Sequence, residues 1–153
     1  MKITELGKYL KKEHFLPDLK GGSKTAVMEA LVQPLVDGGL VKGKSLVLET
    51  LSKRETLGST GIGRGVAVPH CRTMAVSDVH IVVGISKGGV DFAAIDKKTV
   101  HLFFLIVAPP VEGNALYLPL LGKIVEMVRD TKLRQAMVGA GDFATFIKIF
   151  QGG

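Results

Sequence analysis

At 153 residues, with 46% hydrophobic and 22% charged side chains, the chain has an ordinary soluble globular composition and is expected to form one domain, 1–153, around a full core. Its apolar residues fall in short runs broken by Gly, Pro or charge, none near the ~18 residues of a membrane span, and Met1-Lys2-Ile3-Thr4-Glu5 lacks a secretory pattern, so no direct membrane insertion and a cytoplasmic location are expected. Cys71 is the only cysteine, which excludes an intrachain disulfide and a multi-cysteine metal site, and the net charge of +6 is scattered along a chain without Trp, which argues against nucleic acid.

Ile3 to Leu10 reads as a short amphipathic helix running into the charged stretch Lys11-Lys12-Glu13. His14 to Leu19 suits an edge strand, where Pro17 is tolerated. Gly21-Gly22-Ser23 reads as a turn and N-cap for a helix carrying Val27, Ala30, Leu31 and Val32; Pro34 should kink or shorten it, and Gly38-Gly39 ends it. A second helix is expected from about Gly43 to Glu55. Four glycines then fall within residues 58–65, too many for a regular helix or strand, before a short buried strand Val66-Ala67-Val68 stopped by Pro69. Val79–Ser86 and Val100–Ala108 are near-continuous β-branched and aromatic runs, as in central strands covered on both faces, with turns at Gly88-Gly89 and Asp96-Lys97-Lys98. Leu116 to Val128 carries a broad helical apolar face, a shorter helix spans Lys132 to Val138, and Asp142 can cap a last helix through Ile149. Helices at both ends with strands between predict a three-layer α/β/α sandwich with a mixed central sheet.

The glycine-rich stretch is the most distinctive chemistry in the chain. Backbone N–H groups around Gly61 and Gly63 can form a concave phosphate site, Ser59 and Thr60 add hydroxyls, and Arg54 and Arg64 bracket it with fixed positive charge. The stretch ends at His70, behind Pro69. An imidazole with a reference pKa near ~6.5 can attack phosphorus without a separate base. Gly58 to Gly63 has the glycine spacing of a Walker A loop, but Arg64 stands where Lys is required and Gly65 where Ser or Thr should hold magnesium. The dinucleotide fingerprint fails as well, since Gly65 and Val66 follow Gly61-x-Gly63. Loop chemistry alone leaves a flexible turn with an incidental histidine equally open.

The segment Arg54-Glu55-x-x-Gly58-Ser59-Thr60-Gly61-Ile62-Gly63-x-Gly65-Val66-Ala67-Val68-Pro69-His70 resembles the active-site signature of the mannitol/fructose-type enzyme IIA domains of the bacterial phosphoenolpyruvate-dependent phosphotransferase system, which include the nitrogen-regulatory enzyme IIA. Weaker similarity extends over the opening helices, the strand Val100–Ala108 and the helix with Leu118-x-Leu120-Leu121. The resemblance implies that His70 accepts a phosphoryl group on Nε2 from the histidine phosphocarrier HPr or its nitrogen-branch counterpart. It implies further that Arg54 stabilises the phosphoryl charge, that Ser59 and Thr60 line the site, and that the fold is a helix-covered mixed sheet. It requires no cofactor or metal. The family's usual second histidine, at the start of the Leu-x-Leu-Leu helix, is replaced by Tyr117. Tyr can hydrogen-bond phosphate but, with a pKa near ~10, does not titrate near neutrality.

Other residues carry weaker signals. His80 and His101 could face the site or be structural, His14 has no assigned role, Arg72 could add charge near the pocket or be solvated, and Cys71 is expected to be a small buried hydrophobe. Three functions follow: a nitrogen-type regulator that switches partner proteins, favoured because no IIB or transporter segment is fused to the chain; a sugar-specific (fructose/mannitol) component that hands the group to a IIB domain; and a non-phosphorylated binding module, motivated by Tyr117. A hydrolase using Ser59 and His70 lacks an orienting acid. A carrier must present its histidine to two proteins in turn, which predicts an open, shallow site with an apolar rim.

Overall fold

The computed structural model describes residues 1–20, 22–113 and 115–152. Its frame is set by the two apolar runs, which form β5 (His80–Val90) and β6 (Val100–Ala108) and pair antiparallel from His80↔Val107 to Val90↔Val100. Four shorter strands, β1 (Phe15–Leu16), β2 (Gly61–Gly63), β3 (Val66–Ala67) and β4 (His70–Arg72), complete a six-stranded mixed sheet. The order is β1-β5-β6-β3-β2, with β4 also on β6. β1 runs parallel to β5, β3 and β4 run parallel to β6, and β2 runs antiparallel to β3.

Alternation along β6 makes the layers. Leu102, Phe104, Ile106 and Ala108 pack on one face with residues of α1 (Ile3–Gly7), α4 (Tyr117–Arg129), α5 (Thr131–Gly139) and α6 (Phe143–Lys148). Phe103, Leu105 and Val107 pack on the other with α2 (Lys24–Asp37) and α3 (Lys44–Thr56). This is the predicted α/β/α sandwich, and it explains why β6 reads as a near-continuous apolar run. Ser23, Asp130 and Asp142 cap α2, α5 and α6 through side-chain acceptors to Ala26, Leu133 and Thr145 N–H groups.

Four local readings are corrected. The first helix ends at Gly7, where a Cβ would lie 2.9 Å from Phe150 Cβ, rather than at Leu10. α2 continues past Pro34 to Asp37, so the proline falls in its last turn without truncating it. Gly88-Gly89 is a bulge within a longer β5, not its end. The glycine-rich stretch does form a strand: Gly61 pairs with Ala67, and Gly63, Arg64 and Gly65, all at positive φ (93, 58 and 78°), turn the chain back. Gly61 is needed for close packing, since a Cβ there would come 2.9 Å from Ala94.

Candidate functional site

β3 and β4 act as one strand interrupted at Pro69, because their registers on β6 are continuous from Ala67↔Phe103 to His70↔Ile106. The Pro69 carbonyl accepts from Ile106 N–H at 3.0 Å, so the proline's missing N–H also faces β6 and breaks the ladder between Ala67 and His70, beyond which β6 alone pairs with this strand. His70 therefore begins an edge strand, half-buried, in an open groove of about 590 Å³. Arg54, from the last turn of α3, and Arg72, Tyr117 and Leu118 also line it.

The imidazole is held in one tautomer. His70 Nδ1 lies 2.7 Å from the Val68 carbonyl oxygen. A carbonyl can only accept, so the proton is on Nδ1 and Nε2 keeps its lone pair. Val68 is itself fixed: its N–H donates to the Thr60 carbonyl at 2.9 Å, and Thr60 N–H and Oγ1–H donate to the Glu55 carboxylate at 3.0 and 2.7 Å. The Glu55 side chain is only 7% exposed and pairs with Lys24 at 3.2 Å. Lys24 Nζ in turn lies 4.6 Å from the centre of the Phe92 ring. A chain of hydrogen bonds thus runs from Glu55 through Thr60 and Val68 to the imidazole.

The predicted site residues divide into two sets. His70, Arg54 and Tyr117 meet in the groove; the Tyr117 ring centre is 6.2 Å from that of His70. Ser59 donates to the Phe92 carbonyl at 2.8 Å and accepts from Gly61 N–H at 3.0 Å, and buried Thr60 is bound to Glu55. Gly63 lines a different cleft, with Arg64 and Val128. Ser59, Thr60, Gly61 and Gly63 therefore build the support behind His70 rather than the wall of the groove. His101 is tied to Ser86 and Thr99 and lies in another cleft, and His80 packs edge-on against His14 elsewhere. Cys71 faces the α2–α3 core, and burial pushes its thiol up to about 12.

Arg72 belongs to the groove. Its guanidinium lies 4.5 Å over the Tyr117 ring and donates to the Pro110 carbonyl at 3.3 Å. Two residues after His70 in a strand, it shares the histidine's face, a placement that alternation alone supports. Glu112, which had no sequence signal, accepts the Tyr117 N–H at 2.7 Å and lies 4.0 Å from Arg72. Burial, reinforced by the nearby Cys71, pushes the Tyr117 hydroxyl up to about 12, against the opposing pull of Arg72 and Arg54. The rim is apolar and open, with Leu57 85% and Leu118 64% exposed. Among the described residues no group of three His, Cys, Asp or Glu side chains is arranged for a metal ion, and no helix is long and apolar enough to cross a membrane.

The family described as "Phosphoenolpyruvate-dependent sugar phosphotransferase system, EIIA 2" matches residues 8–152. A fructose-specific EIIABC component of Bacillus subtilis is 33% identical over 141 residues, which are 92% of this chain but only 21% of that protein. A nitrogen regulatory protein of Bradyrhizobium diazoefficiens is 31% identical over 144 residues, 93% of this chain and 90% of that one. The crystal structure of the nitrogen regulatory protein IIA-Ntr from Neisseria meningitidis superposes with a TM-score of 0.86 at 28% identity, covering 95% of this chain and 99% of that one.

Proposed function

The chain belongs to the EIIA 2 family of the phosphoenolpyruvate-dependent sugar phosphotransferase system, and we propose that within it His70 Nε2 carries the phosphoryl group. The observation that carries this reading is the 2.7 Å contact of His70 Nδ1 with the Val68 carbonyl, which leaves Nε2 as the free nucleophile in the groove. The Nε2 lone pair attacks the phosphorus of a phosphohistidine on an HPr-type donor, the N–P bond of the donor breaks, and its imidazole leaves with the electron pair. The Nδ1 proton is retained, so the phosphorylated ring is cationic and itself a good leaving group in the next transfer. The Val68 carbonyl stabilises that cation. Arg54 and Arg72 supply fixed positive charge for the transferring group, as alignment and charge neutralisation require. Ser59, Thr60, Gly61 and Gly63 contribute by positioning the Val68–His70 segment.

The exposed Leu57 and Leu118 rim suits docking of successive protein partners. The family contains both sugar-specific and nitrogen-regulatory proteins. We assign this chain the nitrogen-type regulatory role, supported by the likeness to IIA-Ntr over nearly the whole of both chains. A IIB domain is the acceptor if the role is instead sugar-specific.

Intact mass after incubation with phosphoenolpyruvate, enzyme I and HPr tests the reading. An acid-labile gain of one phosphoryl group on the wild type, absent from a folded His70→Ala variant, is expected. No gain from either general or nitrogen-branch donors would turn the assignment over to a second reading, a partner-binding module that works without phosphate. Tyr117 motivates that alternative, since it places a neutral phenol ring beside His70.

A further inference from the structure

Glu112 does not line the groove, yet its carboxylate stands against two positive features beside His70. Its side chain is only 9% exposed, and Oε1 accepts the Tyr117 N–H at 2.7 Å, where the first turn of α4 carries the positive pole of the helix. The same oxygen lies 4.0 Å from Arg72 Nη1, on the guanidinium that covers the Tyr117 ring. Arg54, the other arginine of the groove, has no carboxylate within 4.0 Å among the described residues, and its Nη1 donates to the Gly58 carbonyl at 3.0 Å. A charge held largely out of water is screened less than an exposed one and reaches further. Burial raises the Tyr117 hydroxyl most, and the Glu112 charge adds to that rise, so its field crosses the phenol that stands beside His70.

We propose that Glu112 is a resident counter-anion that sets how tightly the groove holds the transferred group. The inference rests on His70 as the acceptor. When the N–P bond forms at Nε2 and the donor's N–P bond breaks, the arriving group brings roughly two negative charges. Arg72 and the N-terminal end of α4 attract that charge, whereas Glu112, already set against both, opposes it. The phosphorylated state is thereby kept at a level from which the group moves on to the next protein, instead of being trapped between two arginines. Glu112 acts through Arg72 and the helix end, as a positioning residue.

Two variants separate its charge from its hydrogen bond. Glu112→Gln has the shape of Glu, keeps an oxygen for the Tyr117 N–H and loses the charge. Glu112→Asp keeps the charge and falls short of that N–H. The equilibrium constant for transfer from a phosphorylated HPr-type carrier is measured for each by intact mass, approached from both directions. Glu112→Gln should move it about fivefold or more toward this protein, and Glu112→Asp should leave it within about twofold, since a nearby like charge and not the cap on α4 is what opposes the phosphoryl group. An equilibrium moved by Asp as far as by Gln, moved by neither, or moved toward the donor by Gln overturns the proposal while His70 remains the acceptor. A wild type that takes no phosphoryl group from any donor overturns the assignment of His70 itself, and this inference with it.

Discussion

Removing the Glu55 carboxylate should uncouple the support behind His70 from the rest of the fold. A carboxylate in the last turn of α3 opposes the helix dipole, so its hydrogen bonds must account for its position. It accepts from Thr60 N–H at 3.0 Å and from Thr60 Oγ1–H at 2.7 Å, and Thr60 is 3% exposed, so water cannot take over either donor. Charge-assisted bonds are each worth roughly 1.5–3 kcal/mol, and their loss here leaves buried donors unpaired. The two are not fully additive, which puts the cost of Glu55→Ala at about 3 kcal/mol and the fall in Tm at about 6–12 °C. Thr60→Val removes one of the bonds and should cost about 1–2 kcal/mol. Urea denaturation of the two single variants and the double variant closes the cycle, with an expected coupling above about 1 kcal/mol. Imidazole nitrogen NMR of Glu55→Ala should also show the Nδ1–H tautomer of His70 less populated than in the wild type. A loss under about 0.5 kcal/mol, the range of an uninvolved surface substitution, or full additivity would refute the hydrogen-bond chain from Glu55 to the imidazole.

Three further outcomes follow from the groove. In a Tyr9→Phe background, ultraviolet titration should follow Tyr117 alone, with a midpoint near the value of about 12 to which burial pushes it. Because the folded hydroxyl ionises later than an unfolded one near ~10, stability should fall as pH rises from about 10 toward that midpoint; an inflection at the ordinary value would contradict its burial. Cys71, with its thiol pushed up to about 12, should resist thiol reagents at neutral pH until the chain unfolds, and prompt labelling of the folded protein would refute that. Leu57→Glu and Leu118→Glu alter exposed side chains and should change stability by less than about 0.5 kcal/mol. Both should slow phosphorylation by an HPr-type donor about tenfold, and unchanged transfer kinetics would remove this rim from the docking surface.

Sequence legibility tracked how local the cause of each feature is. The limits of β6 at Val100 and Ala108 were readable because an apolar run and a following Pro109 are properties of the segment itself. The glycines at 61–65 were misread as an open loop because their reasons lie elsewhere in the chain: the Ala94 backbone excludes a Cβ at Gly61, and pairing to β3 sets the turn through Gly65. For the same reason Ser59 and Thr60, which look like phosphate donors beside glycines, have their hydroxyls engaged by Phe92 and Glu55. Arg72 was within reach of simple strand alternation from His70, whereas Glu112 comes from a loop with no periodicity to read. The tautomer of His70 had no signal in the residues themselves, where only the resemblance pointed to Nε2, since it depends on where one backbone carbonyl points.

That carbonyl bears on Tyr117, which stands where the sequence resemblance implies a second histidine. A neighbouring imidazole could orient or protonate the acceptor, but here orientation comes from the Val68 carbonyl at 2.7 Å, a group that does not titrate. On the proposed reading, retention of the Nδ1 proton after transfer would need no second base. Tyr117 can then serve as a packed wall: the residue is 6% exposed, its ring is covered by the Arg72 guanidinium at 4.5 Å, and its N–H is anchored by Glu112. With its hydroxyl up at about 12, this wall stays neutral across the physiological range. Substituting phenol for imidazole therefore removes a titrating group from beside the acceptor while leaving its nucleophilic nitrogen untouched. On the proposed reading, the expected consequence is a change in how the site responds to pH, with transfer to Nε2 retained.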